Sequence, residues 1–166
     1  MKDVVRSLGH LALGTRLKRL GDRLQAQTQR ILDDVGVPVP ASHLPALAAL
    51  DEVGALTIGE LSRALGVTQP GVTRMTATLE AAGLVRSGAA EDDGRARVVD
   101  LAPAGRQLLG RLRRRTFPLV EAAVREACDD VSGRFLVQLS GLEDALEEVP
   151  LAARAVRIAA GARRHA

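Results

Sequence analysis

The 166-residue sequence is short of the residues on which several classes of protein depend. Its one cysteine, Cys128, excludes an internal disulfide and a cysteine-based zinc cluster. It has no Trp, no Tyr and only two Phe, which disfavours modules that stack bases on aromatic rings. No apolar run reaches the roughly 20 residues that a membrane span needs, and the N-terminus lacks the apolar core of a signal peptide. We therefore expect a cytoplasmic protein without a membrane partner.

The residues that are abundant favour packed helices and a basic middle segment. Hydrophobic residues make up 46% of the chain, and since aromatics are rare, Leu, Val and Ala must fill the core. The formal net charge is +3, but residues 53–115 hold ten Arg against six acidic residues, whereas 116–166 hold six Arg against eight. A basic segment of this size permits a nucleic-acid partner without proving one.

Apolar periodicity predicts helices towards both ends of the chain. A stripe with steps of three and four residues predicts a long first helix that ends at the Gly36–Pro40 segment; its members are Leu13, Leu17, Leu20, Leu24 and Ile31. Ser42 is expected to cap a second helix in which Val53 is buried. Three helices are expected after Pro103, the first of them kinked near Pro118.

The segment 57–83 carries the strongest local signals, which predict two short helices joined by a tight turn. Thr57 and Glu60 have the spacing of a capping box, and Gly66 ends the helix that they start. Thr68 is expected to cap the next helix, with Pro70 in its first turn, where a missing amide hydrogen has no cost. The inward residues of this second helix are expected to be Val72, Met75 and Leu79, and Gly83 to end it.

The periodicity then changes from 3.6 to 2, which predicts a β-hairpin. Residues 84–86 form one expected strand and 97–101 the other, joined by a polar loop over 87–96. The order helix, short helix, turn, helix, hairpin describes a winged helix-turn-helix. The expected fold is therefore mainly α with a small β-hairpin wing, with residues 41–101 as the DNA-binding domain.

In this architecture the second helix of the pair enters the major groove of double-stranded DNA. Its outward side chains are expected to be Thr68, Gln69, Thr73, Arg74 and Thr76, and Pro70 and Gly71 are expected to contact DNA with them. Gln and Arg pair with adenine and guanine edges, and Thr bonds phosphate or touches a thymine methyl group. A glycine at position 71 leaves room for the backbone to approach the duplex closely.

The hairpin tip, Glu91-Asp92-Asp93-Gly94-Arg95-Ala96-Arg97, is expected to bind DNA through its arginines. An arginine at such a tip fits a narrow minor groove, where the negative potential is concentrated. Asp93 is expected to pair with Arg95 or another cation and fix its direction, with Arg97 flanking. Without such pairing, the three consecutive acidic residues would be repelled by phosphate.

These segments together resemble the MarR family of bacterial regulators. The resemblance lies in the run Leu56-Thr57-Ile58-Gly59-Glu60-Leu61 to Val72-Thr73-Arg74, in Leu79-Glu80-Ala81-Ala82-Gly83-Leu84-Val85, and in the Asp93–Arg95 wing. It implies a homodimer that binds a palindromic operator, usually as a repressor, with residues 1–40 and 102–166 forming the dimerisation region. It also implies a small-molecule effector pocket, which His10 and His43 could line. Pro70 and Gly71 depart from the larger polar residues often found there.

Other interpretations remain open. The winged helix could hold a protein instead of DNA, and Arg95 and Arg97 could belong to an ordinary solvated loop. The run of Arg111, Arg113, Arg114 and Arg115 could be a solvated face, a phosphate contact or a partner-subunit contact. Cys128, next to two acidic residues, fits a small buried thiol better than an oxidant sensor. The three His are too scattered for a metal site, and no set of catalytic residues or cofactor motif is recognised.

The wing hypothesis is tested by replacing Arg95 with Ala. We expect Arg95→Ala to weaken operator binding by about 1–3 kcal/mol, because a groove contact of that size is lost. A gel-shift titration at fixed salt measures the change, and unchanged affinity would refute a DNA-reading role for this arginine.

Overall fold

The computed structural model describes residues 3–89, 97–129 and 134–162, which form eight α-helices, two short 3-10 segments and three strands. The helices are α1 (Val4–Ser7), α2 (Leu13–Asp33), α3 (Leu44–Val53), α4 (Ile58–Leu65), α5 (Gln69–Ala81), α6 (Pro103–Asp129), α7 (Phe135–Glu148) and α8 (Leu151–Ala162). The strands are β1 (Leu56–Thr57), β2 (Val85–Ala89) and β3 (Arg97–Leu101), and the 3-10 segments are Gly9–Ala12 and Ala41–His43. The predicted mainly helical fold with a small hairpin is confirmed.

The chain divides into two compact units between Val120 and Glu121, within α6. The first unit contains the elements from α1 to β3 and the first part of α6. The second contains the end of α6 with α7 and α8, where the Arg154 guanidinium donates to the carbonyls of Val149 and Ala145. No helix in the described ranges is long and apolar enough to cross a membrane.

The helices of the first 54 residues follow the periodicity, with two corrections at α3. Ser42 does not cap α3 but lies within the 3-10 segment, and His43 occupies the cap position without a side-chain hydrogen bond. Val53 is 67% exposed instead of buried, because it lies in the last turn, next to Gly54. The stripe of α2 remains largely uncovered: Leu20 is 43% exposed and Leu24 37%.

The three strands form an antiparallel sheet in the order β1-β3-β2. Leu56 pairs with Val99, and β2 pairs with β3 from Val85–Leu101 to Ala89–Arg97. Two features differ from the prediction. Ser87–Ala89, expected in the loop, belong to β2, and β1 was not expected, because a two-residue strand has no periodicity of its own. Pairing with β3 explains both features, because it supplies hydrogen bonds to backbone groups that would otherwise have no partner.

One aliphatic core joins these elements. Its largest side chains below 2% exposed come from α2, α3, α4, α5, β3 and α6: Leu32, Leu47, Leu50, Leu61, Val72, Leu79, Val99, Leu101 and Leu109. Val72 and Leu79, with the almost fully buried Met75, anchor the inner face of α5, as predicted. The position of α5 is thus fixed by burial on one side, and its opposite side is left free.

The start of α6 packs against the end of the helix pair through Gly105. A Cβ atom at this position would overlap the Leu84 carbonyl oxygen and press on Leu101. The same carbonyl accepts a hydrogen bond from the Ala102 amide, at 3.0 Å. Only glycine therefore allows α6 to approach the segment between α5 and β2 this closely.

We expect Gly105→Ala to lower the free energy of unfolding by about 1–3 kcal/mol, because overpacking against rigid backbone forces a shift. Gly110→Ala in the same helix is the matched control. Its Cβ would lie 3.5 Å from the mobile Arg114 Nη1, so helix propensity makes this change neutral or stabilising by up to about 1 kcal/mol. Urea denaturation at one protein concentration measures both, and an equal loss in the two variants would contradict the close approach.

Candidate nucleic-acid interface

The first helix of the pair, α4, begins at a complete capping box. The Glu60 amide donates to Thr57 Oγ1 at 3.2 Å, and the Thr57 amide donates to Glu60 Oε2 at 2.7 Å. Hydrogen bonds from the Thr57 amide and hydroxyl hold the pKa of Glu60 below its ordinary value. Since Thr57 is also the last residue of β1, the start of α4 is fixed to the sheet.

The turn between α4 and α5 is closed by a pair of hydrogen bonds. Ser62 Oγ donates to the Val67 carbonyl at 2.5 Å, and the Val67 amide donates to the Ser62 carbonyl at 3.2 Å. Gly66 has φ +63°, the left-handed conformation that glycine adopts without strain. This turn brings the N-terminus of α5 into a defined direction relative to α4.

Thr68 caps α5, as predicted: its Oγ1 accepts from the Gly71 amide at 3.4 Å. A Cβ on Gly71 would lie 3.3 Å from that hydroxyl oxygen and 3.7 Å from Val67 Cγ1. The structure thus gives Gly71 a role in the cap itself. Close approach of its half-buried backbone to DNA remains a prediction.

The outer face of α5 is polar near its start. Thr68, Gln69, Pro70, Thr73 and Arg74 are exposed, as expected. Thr76 is not. It is 5% exposed, and its hydroxyl donates to the Thr73 carbonyl at 3.0 Å. The prediction that Thr76 points outward was wrong, because at 3.6 residues per turn it flanks Val72 and falls on the inner side of the helix.

Three residues that the sequence reasoning missed share this surface. Ala77 and Thr78 are exposed one turn after Thr73 and Arg74, and the i to i+4 spacing could have identified them. Arg63 of α4 is also exposed, and a Cβ on Gly59 would lie 3.9 Å from its Nη1 and 3.7 Å from Gln69 Nε2. Gly59 therefore leaves space in which these two side chains converge.

Of the wing residues named from sequence, Asp93 and Arg95 lie outside the described residues. Arg97 opens β3, and its Nη2 lies 3.1 Å from both carboxylate oxygens of Glu80 in α5. On the other face of the sheet, Asp100 Oδ2 lies 2.8 Å from Arg86 Nη2 and 3.5 Å from Arg106 Nη2. Hydrogen bonding to Arg86 holds the pKa of Asp100 below its ordinary value. The described part of the wing is thus tied to α5 and α6 by ion pairs.

Of the arginine run in α6, one member pairs within its own chain. Arg113 Nη1 lies 2.5 Å from Asp51 Oδ2 in α3. All four arginines, Arg111, Arg113, Arg114 and Arg115, are exposed. Cys128 is half-buried, so the expected full burial of its thiol is not found. Within the described ranges no cluster of His, Cys, Asp and Glu could hold a metal ion.

A groove of about 330 Å³ opens elsewhere in the first unit. Its walls come from α2 (Leu24, Gln25, Thr28), α3 (Leu44, Ala48) and α6 (Phe117). His10 and His43 are not part of its lining: His10 is exposed in the first 3-10 segment, and His43 is half-buried. Burial lowers the pKa of His43, whose buried Nδ1 has no hydrogen-bond partner among the described residues.

Comparison with known proteins identifies this arrangement. A family model described as the MarR family matches residues 36–96, which contain α3, the helix pair and β2. Residues 36–96 therefore match the MarR family, which the sequence motifs had indicated. A comparison with curated protein sequences finds no match.

Solved structures of similar fold cover most of this chain. A MarR-family transcriptional regulator from Silicibacter pomeroyi is 25% identical, with a TM-score of 0.60 over 88% of this chain and 96% of its own. Bordetella bronchiseptica BpsR, whose DNA binding 6-hydroxynicotinic acid regulates, is 23% identical, with a TM-score of 0.67 over 82% and 94%. A mutant of E. coli MarR complexed with operator DNA is 18% identical, with a TM-score of 0.67 over 90% and 99%.

The corrected face of α5 is tested with two variants. We expect Arg74→Ala to weaken DNA binding by about 1–3 kcal/mol, because an exposed cation of the recognition surface is lost. Thr76→Val should bind within about twofold of wild type, because the buried hydroxyl reaches only the Thr73 carbonyl. Fluorescence anisotropy at fixed salt measures both affinities, and a large loss in Thr76→Val with unchanged thermal stability would return Thr76 to the interface.

Proposed function

We propose that this MarR-family chain is a sequence-specific DNA-binding repressor that acts as a homodimer and is released by a small-molecule effector. The observation that carries the proposal is the exposed polar start of α5, which two helix caps and one hydrogen bond in the turn hold in place. Three hydroxyl groups form hydrogen bonds with backbone groups here: that of Thr57 at the start of α4, that of Ser62 in the turn and that of Thr68 at the start of α5. Gln69, Thr73 and Arg74 remain exposed beside them.

The electrostatics of this face suit a duplex. The N-terminus of α5 carries the positive end of the helix dipole, which favours a phosphate. Arg63 and Arg74 form no salt bridge with any described residue, so their charge is available to DNA. Gln69 and Arg74 have the donor geometry to read adenine and guanine edges, and Ala77 could contact a thymine methyl group.

The homodimer is supported by apolar side chains that the single chain leaves uncovered. In the first unit Leu20 and Leu24 of α2 are exposed, and in the second unit Leu151, Val156 and Ile158 of α8 are exposed. Contiguous exposed apolar residues on a helix are typical of a protein interface. A two-fold dimer would place two α5 helices about one turn of DNA apart, on a palindromic operator.

The test is selection of bound duplexes from a random-sequence DNA pool, followed by titration at several salt concentrations. We expect a palindromic consensus, affinity that falls steeply with salt, and a mass in sedimentation of two chains. A reporter gene with the selected site in its promoter should be repressed. A strictly monomeric protein, or retention of DNA without sequence preference, would contradict the proposal. Salt-independent failure to bind any duplex would favour the protein-interaction alternative.

The effector is proposed to bind in the groove between α2, α3 and α6. Its described lining is aliphatic and aromatic, with Gln25 and Thr28 as polar groups and no Arg, Lys or His. A carboxylate bound in this groove would lose part of its hydration, and no opposite charge in the described lining would offset that cost. We therefore infer an uncharged, single-ring ligand with a hydrogen-bonding group.

The groove is tested with 6-hydroxynicotinic acid, its uncharged amide, and further matched pairs of single-ring acids and amides. We expect the amides to raise the thermal midpoint and to weaken DNA binding more than the acids do. Ala48→Phe should abolish this response by filling the groove while leaving DNA affinity unchanged in the absence of ligand. Stronger effects from the acids, or an unaltered response of Ala48→Phe, would contradict the assignment.

A further inference from the structure

Glu80, in the last turn of α5, forms an ion pair with strand β3 of the wing. Its two carboxylate oxygens each accept from Arg97 Nη2 of β3 at 3.1 Å. Hydrogen bonds from Ser87 of β2 and from Arg97, against the opposing effect of partial burial, hold the pKa of Glu80 below its ordinary value. One carboxylate therefore joins the helix that is proposed to read DNA to strand β3 of the hairpin.

The register of the sheet explains why these groups meet. Ser87 lies directly opposite Val99, and Arg97 lies two residues before Val99 on the same strand. Residues opposite each other or two apart share a face of an antiparallel sheet. Val99 is fully buried, so Ser87 and Arg97 lie on the inner face of the hairpin, towards α5. They extend the contact between helix and wing beyond the apolar core.

The two side chains of this ion pair differ in exposure. The Glu80 side chain is 28% exposed, the Arg97 side chain 66%. A carboxylate so close to a DNA-binding surface repels phosphate, and a basic protein would bind DNA better without it. The presence of the Glu80 carboxylate is explained if this group orients the wing.

We infer that Glu80 is a positioning residue which, through Arg97, sets the direction of the wing relative to the recognition helix, and that Arg97 serves this contact instead of binding phosphate. The inference rests on the proposed DNA-binding function. It extends that function by assigning a role to two residues that do not read bases.

The experiment compares Glu80→Gln, Arg97→Gln and the double variant in the full-length protein, on a duplex selected with wild type. We expect each single variant to weaken binding about threefold to fivefold, the range of an exposed ion pair, and the double variant to weaken it no further. The slope of affinity against salt should stay unchanged in Arg97→Gln. Combining Glu80→Arg with Arg97→Glu should restore part of the affinity.

Glu121→Gln is the matched control. It also removes one negative charge and one ion pair, since Glu121 Oε1 lies 2.6 Å from Arg125 Nη2, but it lies outside the winged domain. We expect its DNA affinity to be unchanged or slightly higher. Tighter or unchanged binding by Glu80→Gln, additive losses in the double variant, or a salt slope reduced by about one in Arg97→Gln would overturn the inference.

A second measurement needs no DNA and separates failure of this inference from failure of the proposed function. In the free protein, Glu80→Gln should raise hydrogen exchange at the hairpin amides, 85–89 and 97–101, more than at the α4 amides. Equal exchange in wild type and Glu80→Gln would overturn the inference even if the protein binds DNA. Faster hairpin exchange in a protein that binds no duplex would instead contradict the proposed function alone.

Discussion

Strand β3 pairs both with the strand that precedes the helix pair and with the strand that follows it, and the geometry of the candidate interface depends on this pairing. Its Val98 and Val99 pair with β1, which runs directly into the cap of α4, and the whole strand pairs with β2, which follows α5. Because Val99 and Leu101 are fully buried, the strand cannot slip by one residue without turning these side chains to solvent. The register therefore fixes where α4 begins and where α5 ends.

Within that frame, small hydroxyl side chains provide most of the local precision. Thr57, Ser62 and Thr68 bond backbone groups at successive steps of the helix pair, and Thr76 bonds the Thr73 carbonyl from inside α5. Each of these bonds satisfies a backbone or buried group that would otherwise cost free energy. The longer polar side chains of Gln69 and Arg74 form no such hydrogen bonds with the described residues. The residues that shape the surface are thus different from those that are proposed to read DNA.

The arginine side chains also divide into those that stabilise the fold and those that are left exposed on the helix pair. Arg86, Arg97, Arg106 and Arg113 are tied to carboxylates of the same chain, so they contribute to the orientation of the wing and α6. A count of arginines over residues 53–115 thus overstates the charge available to phosphate. The exposed Arg63 and Arg74 lie on the helix pair itself, where the cationic character matters for association with a duplex.

The sequence by itself determined what depends on neighbours three or four residues apart: the capping box at Thr57 and Glu60, the cap at Thr68, the inward row of α5 and the mainly helical class. Local hydrogen bonds and helical periodicity do not need a partner segment, so their signals are complete in the chain. The tertiary structure decided the rest. Thr76 is buried, β1 exists, and Arg97 meets Glu80 because the sheet and the core bring together residues that are distant in sequence. Such contacts depend on register and packing, which no short stretch of residues encodes alone.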